Sequence, residues 1–374
     1  MKTTTLGIIF ANIYASSLGE LTNKRTMASL PYGGRYRQID FSLSNMTNAG
    51  IRHIGIVTKH NYHSLMNHIG SGQEWDLNLE EGGLQYLTPF SQGHSGSYRG
   101  KLEALNSAMD FFNYTNEEYV ILSDSAVLCA ADLKKILESH IESGADITVT
   151  AKKGVANGKK QLDMALKLND KGQVEDIAVD YCAPEGYLAS MGIFVMRRDY
   201  LLREVTEAVA HDRYHFERDL VMHNFAKHGA KINVCEFDGV ALFNESTQEF
   251  FQNSLKLLEP EIRHGLFNQD NLTIYTTVRN EVPSYYGKYS EIDNCIVADG
   301  CDLEGKAEHS VLFRGVSLGK NAKVRNCIIM QDCEIGEGAE LECVILDKNV
   351  VVSPGKKLYG TMEHPLVLKR GETV

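Results

Sequence analysis

Leu318-Gly319-Lys320-Asn321-Ala322 is echoed further along the chain by Ile335-Gly336-Glu337-Gly338-Ala339. The shared pattern is aliphatic-Gly-x-x-Ala, the hexapeptide grammar of a parallel β-helix. Three short strands make one triangular coil, aliphatic side chains point inward, and small residues allow the tight corners. Around these segments, Cys295-Ile296-Val297, Ser310-Val311-Leu312, Cys327-Ile328-Ile329 and Cys343-Val344-Ile345 recur at spacings of 15, 17 and 16 residues. The repeat predicts a left-handed parallel β-helix over residues 283–374, with Ile296, Val311, Ile328 and Val344 stacked as an inward row. Each coil would need its neighbour to bury that face.

Before about Leu258 the grammar differs. Short apolar runs at Leu6–Ala11, His53–Thr58, Tyr119–Ser123, Ile147–Ala151, Met191–Met196 and Ile232–Phe237 alternate with amphipathic stretches such as Leu102–Tyr114 and Leu133–Ser143. Alternation of this kind predicts an α/β domain over residues 1–258, with a mostly parallel, Rossmann-like sheet covered by helices. Ligands of such sheets sit beyond the carboxyl ends of the strands. Residues 259–282 read as a linker.

The 374 residues suffice for two cores. A net charge of −11 argues against a nucleic-acid or membrane surface as the main partner. The eight cysteines include no CxxC pair. Several sit in repeat positions and read as small buried apolar residues, and the set suggests a reducing, cytoplasmic protein rather than zinc ligands or disulfides. Lys2, Leu6–Ala11 and Ala15-Ser16-Ser17 mimic a weak signal peptide, but the apolar run is short and broken by Asn12. A first β-strand is the expectation. No apolar run reaches the roughly 18 residues that span a membrane.

Leu21-Thr22-Asn23-Lys24-Arg25, Gly33-Gly34-Arg35-Tyr36-Arg37, Ile39-Asp40-Phe41, Leu43-Ser44-Asn45, Tyr98-Arg99-Gly100 and Ser190-Met191-Gly192-Ile193 are specific enough to compare with a known family. With the terminal repeat, they make the whole chain resemble glucose-1-phosphate adenylyltransferase (ADP-glucose pyrophosphorylase), a nucleotidyltransferase. The resemblance implies a domain built to join ATP and glucose 1-phosphate with Mg²⁺, for glycogen or starch synthesis.

The machinery that the resemblance implies is largely missing. The family's Gly-Gly-x-Gly-x-Arg loop brings backbone N–H groups and a cation to the triphosphate. Its counterpart is Asn12-Ile13-Tyr14-Ala15-Ser16-Ser17, so Asn12, Ile13 and Ala15 occupy the glycine positions and Ser17 the arginine's. Met27 stands where a phosphate-binding Lys is expected, and no Lys lies in Ala178–Gly186, where the sugar phosphate's Lys belongs. Phe243-Asn244 replaces a metal-binding Asp. Asp124 is either a surviving metal carboxylate or a capping and turn residue. Asp124 with Asp238 is the one pair on which a rebuilt site could draw.

The surviving cations are Lys24, Arg25, Arg35, Arg37 and Arg52. Family members bind phosphorylated regulators around the segments matching Lys24-Arg25 and Arg35–Arg37, and guanidinium forks suit phosphate oxygens. The same five residues equally suit structural or subunit-interface ion pairs. Arg99 reads as structural, and Tyr285 and Tyr286 as aromatics packing the two domains together.

The pattern as a whole resembles the catalytically silent GlgD-type subunit of the family. That implies a regulatory chain that stimulates a catalytic ADP-glucose pyrophosphorylase subunit, as a hetero-tetramer, with no cofactor of its own and with a phosphorylated metabolite as effector. The alternatives are an active nucleotidyltransferase with a rebuilt, Mg²⁺-dependent site and a homo-oligomeric sensor or scaffold.

Overall fold

The computed structural model describes residues 4–11, 18–89 and 98–374. All six expected strands are present, from Thr5–Phe10 to Ile232–Glu236. The four strands Tyr119–Asp124, Thr5–Phe10, His53–Val57 and Gly83–Leu87 run parallel in that order. Leu188–Arg197 then pairs antiparallel with Tyr119–Asp124, with Ile147–Lys152 and with Leu162–Leu168. The hairpin Leu162–Leu168/Val174–Tyr181 extends that side. It had no clear signal in the sequence because its outer strand, VEDIAVDY, is an acidic and mostly exposed edge.

Helix Leu133–Ser143 falls where the three- and four-residue spacing places it. Asp132 caps it by accepting from the N–H groups of Lys134 and Lys135. Of its expected apolar face, Leu133, Ile136 and His140 are buried, whereas Ile141 is exposed. The other expected stretch, Leu102–Tyr114, is two short helices, Lys101–Ser107 and Met109–Asn113, divided at Ala108.

The β-helix has five coils forming three five-stranded parallel sheets, from Tyr285–Tyr286 through Leu366–Leu368. Non-glycine residues at positive φ mark one corner in successive coils: Asn294, His309, Asn326 and Cys343. Cys301, Cys327, Cys333 and Cys343 are buried in the repeat, and all eight cysteines are free thiols. Burial pushes the thiols of Cys327 and Cys333 up to about 12, so they behave as small apolar groups.

Two expectations about the β-helix are corrected. Ile296, Val311 and Ile328 do stack in register, but the row continues into Ile345 instead of Val344, because Cys343 takes the positive-φ corner held by Asn326 in the coil before, which makes Val344 the counterpart of Cys327. This row also faces outward. Val311, Ile328 and Ile345 join Tyr32, Phe41, Phe250 and Phe251 in a core shared by the two domains. The inward row is Leu312, Ile329 and Leu346, packed with Leu303, Leu318 and Ile335. Tyr285 and Tyr286, expected to pack the domains together, instead form the outermost strand of the first coil, 59% and 51% exposed.

Helix Thr247–Lys256, capped by the Ser246 hydroxyl, supplies Phe250 and Phe251 to the junction. Gly34, at φ +85°, turns the chain where a side chain would press on Ile296 of the first coil.

Candidate functional site

Two polar regions flank this junction. The first lies at the carboxyl ends of Thr5–Phe10 and Tyr119–Asp124, where Phe10 and Asp124 are register partners. Helix Lys101–Ser107 starts beside them, and its first residue, Lys101, is 2% exposed. The Lys101 ammonium donates to Asp124 Oδ2 at 2.6 Å and to Glu217 Oε1 at 2.5 Å, and lies 5.2 Å from the centre of the Phe10 ring. Glu217 comes from a wide π-helical segment, Phe216–Met222, that opens the backbone at this point. Gly192, at φ +68°, makes room for Asp124: a Cβ there would come within 2.8 Å of its carboxylate.

Asp124 is therefore a strand-terminal ion-pair partner, not a cap or a turn residue. Its carboxyl is pushed up to about 6 by burial and by the charges of Glu217 and Asp163, which Lys101 only partly offsets. Burial also raises the Glu217 carboxyl, but the Lys101 charge and hydrogen bond outweigh it, and the net shift is downward. Asp238 is exposed, and the acids acting on Asp124 are Glu217 and Asp163, so the pair Asp124/Asp238 is not a site.

A second internal cluster lies close by. Lys160 binds Glu245 at 2.9 Å and Glu249 at 2.6 Å, with its ammonium 5.0 Å from the centre of the buried Phe243 ring. Glu249 also accepts from the Glu245 N–H as part of the helix cap. Burial raises the Glu245 carboxyl to about 7 despite Lys160. Asn244 is buried and accepts from Asn253 Nδ2. Met27 packs against the shared apolar core. Lys101, Lys160, Glu217, Glu245 and Glu249 carry no signal in the sequence, because no local spacing links partners as far apart as Lys101 and Glu217, 116 residues from each other. Asn12, Ile13, Ala15 and Ser17 lie outside the described residues.

These residues do not fit a divalent ion. Asp124 and Glu217 already share an ammonium, Phe243 offers no oxygen, and no group of three or more His, Cys, Asp or Glu side chains among the described residues could hold a metal.

The second region is cationic. Arg35, Arg37, Arg279, Arg314 and Lys348, with His68 and Gln331, line a narrow cleft between the α/β domain and the β-helix. Among the described residues no carboxylate lines it, and buried Asp40 lies behind His68, 2.6 Å from its Nε2. The Arg37 guanidinium donates to Ser64 O and Oγ. Burial pushes its pKa down to about 10; the Asp40 charge opposes the shift, and Arg25, Arg279 and Arg370 add to it. Lys348 falls to about 7 through burial and repulsion by Arg37, Arg25 and Arg279, against a partial offset from Asp347. Arg314 Nε is buried without a protein acceptor. Such a collection of cations in an acidic chain favours an anion. The free volume is about 30 Å³, little more than a water, so the cleft as it stands is too small for a phosphate.

The predicted basic cluster thus divides. Arg35 and Arg37 line the cleft. Arg25, 4% exposed, forks onto both oxygens of Asp347 at 2.6 and 2.7 Å and ties the α/β domain to the β-helix. Exposed Lys24 lies beyond it, in a cleft of about 170 Å³ with Lys369 and Arg370. Arg52 stands apart and pairs weakly with Asp76 at 3.5 Å. Arg99 is exposed, bound to Glu103 and lying over the Tyr214 ring at 3.6 Å.

The nucleotidyl transferase family profile matches residues 6–239, and a GlmU-like C-terminal hexapeptide profile matches 281–362. Glycogen biosynthesis protein GlgD of Bacillus subtilis (strain 168) is 33% identical over 98% of this chain and 96% of its own. The chain belongs to the glucose-1-phosphate adenylyltransferase family of nucleotidyl transferases. GlgD of Geobacillus stearothermophilus is 34% identical over 99% of this chain and 97% of its own. The glucose-1-phosphate adenylyltransferase of Pseudothermotoga lettingae is 30% identical over 85% and 75%. No described helix is long and apolar enough to cross a membrane.

Proposed function

We propose that this chain is a non-catalytic regulatory subunit of glycogen synthesis that stimulates a catalytic glucose-1-phosphate adenylyltransferase in a hetero-tetramer, and that it senses a phosphorylated metabolite. The observation that carries this reading is a contrast between two polar regions. At the carboxyl end of the sheet, the acids are consumed by Lys101 and Lys160. At the domain junction, Arg35, Arg37, Arg279, Arg314 and Lys348 converge, with no carboxylate lining the cleft among the described residues. Binding energy for phosphate is kept where chemistry is absent and withheld where the family does its chemistry. An effector held between the domains would bias their packing, and thereby the contacts offered to a partner, by its differential affinity for the two states.

The test is co-expression with a catalytic subunit from the same source, followed by assay of each chain alone and of the complex. The expected result is no ADP-glucose synthesis by this chain alone and a raised rate for the complex. Mg²⁺-dependent turnover by the chain alone, from protein free of host enzyme, would overturn the reading in favour of an active nucleotidyltransferase.

A further inference from the structure

Lys101 poses a specific question, because lysine is an expensive residue to bury. Its charge has to be matched or it neutralises, and its four-carbon stem loses most of its freedom. Here the ammonium is almost fully enclosed, with two carboxylates at 2.6 and 2.5 Å and an aromatic face 5.2 Å away. Three separate pieces of backbone meet at this nitrogen: the end of the strand Tyr119–Asp124, the start of the helix Lys101–Ser107 and the π-helical turn that carries Glu217. The point lies beyond the carboxyl ends of two parallel strands, where α/β sheets place their ligands. Two carboxylate oxygens converging on one point from different elements are also the usual first requirement of a hard divalent cation.

We infer that Lys101 is a built-in replacement for a divalent cation: its ammonium holds Asp124 and Glu217 together, and removing it to leave space turns the two carboxylates into a metal site. This inference goes beyond the regulatory reading and does not depend on whether the chain stimulates a partner. It accounts for the shape of the cluster in terms of charge and volume. An ammonium supplies one charge and three N–H donors without needing water or six ligands. It therefore fixes strand, helix and turn permanently, whatever the metal concentration. A single positive charge between two acids leaves one negative charge over; with the ammonium gone the two carboxylates carry two, which would draw a divalent ion.

The distinction between charge and space makes the inference testable on the full-length chain. Lys101→Ala removes the charge and opens room for an ion with some of its water. Lys101→Met removes the charge but keeps the volume filled. Thermal midpoints are measured in EDTA and in Mn²⁺, and bound Mn²⁺ is counted by electron paramagnetic resonance. The unaltered chain is expected to show the same midpoint in both solutions and no ion bound at this cleft. Both variants are expected to melt earlier in EDTA. Mn²⁺ should restore Lys101→Ala, with about one ion per chain and at least tenfold tighter binding than the unaltered chain, and should leave Lys101→Met unrestored. Lys101→Ala/Glu217→Gln should lose the Mn²⁺ response.

Failure of Mn²⁺ to bind or restore Lys101→Ala would overturn the inference, whether that variant is folded or collapsed in EDTA. The unaltered chain supplies an independent check that does not depend on the variants' folding. If it binds one Mn²⁺ that is lost in Asp124→Asn, Lys101 is not a replacement and the inference falls. A chain that passes these tests yet fails to stimulate a catalytic partner would refute the proposed function alone.

Discussion

Arg25 and Lys348 sit close together at the domain junction and behave in opposite ways. Arg25 is matched: both oxygens of buried Asp347 accept from Nη2, and Met330 Sδ lies 3.8 Å from Nη1. Deleting one member of such a pair strands the other as a buried charge, a loss of about 3–5 kcal/mol. Arg25→Ala is therefore expected to lower the unfolding midpoint in urea or heat, and Arg25→Ala/Asp347→Ala to recover part of the loss. An unchanged midpoint in the single variant would mean the pair is not formed in solution. It follows that Arg25 is a poor target for probing effector binding, although the sequence groups it with Lys24.

Lys348 is overmatched by like charge, and its folded pKa of about 7 lies well below the ordinary 10.5. Between those values the unfolded chain binds a proton that the folded chain does not, so stability from this group rises as pH increases from 7 toward 10.5 and is lost below 7. An anion between Arg37, Arg279 and Lys348 reverses the repulsion and raises the Lys348 pKa. Inorganic phosphate or a sugar phosphate is thus expected to bind with uptake of up to one proton near pH 8. Its affinity should weaken by at most about tenfold per pH unit above 7, beyond what the ligand's own titration explains. Calorimetry in buffers of different ionisation heat reads that uptake directly. Binding with no proton uptake, or uptake unchanged in Lys348→Met, would remove Lys348 from the site.

At the scale of elements, the β-helix was legible because each coil repeats one pattern and errors do not accumulate along it. What the pattern could not show was which of two adjacent aliphatic residues points inward. Ile328 and Ile329 are equally apolar and both fully buried, yet Ile329 fills the coil while Ile328 fills the junction with Phe250 and Phe251. That assignment depends on the other domain covering one face of the coil, a contact the repeat does not encode. The acid–base clusters were illegible for a related reason. Lys101 and Glu217 are 116 residues apart, on a helix start and a π-helical turn, and no local spacing connects them. The two isoleucines give a direct comparison. Ile329→Asp should disrupt the coil stack itself, and Ile328→Asp should loosen the domain junction, each costing roughly 3–5 kcal/mol. Limited proteolysis separates the outcomes: the Ile328 variant should release a protease-resistant β-helix, whereas the Ile329 variant should leave none. Identical fragments from both would mean that the two faces are not distinct.

At the scale of the whole molecule, the proposed control of a partner would pass through the junction, because that is where the cationic cleft, the shared aromatic core and the Arg25–Asp347 pair meet. A ligand that pulled Arg35, Arg279 and Lys348 together would draw the linker, the turn at Gly33-Gly34 and the β-helix toward one another. A partner reading the relative placement of the two domains would sense that change, and coupling of this kind typically amounts to about 1–3 kcal/mol. The cleanest probe uses cations that line the cleft and hold no structural ion pair among the described residues. Arg35 and Arg279 are both exposed and meet that condition. Arg35→Ala/Arg279→Ala is expected to keep the unfolding midpoint and the hetero-oligomer, and to weaken the response of the complex to a phosphorylated effector by about tenfold or more in half-saturating concentration, since charge-assisted contacts to phosphate are strong. The measurement is the rate of ADP-glucose formation by the complex across an effector titration, with the catalytic subunit alone as reference. An unchanged curve would reduce these arginines to surface charge and remove the junction cleft from the proposed sensing function.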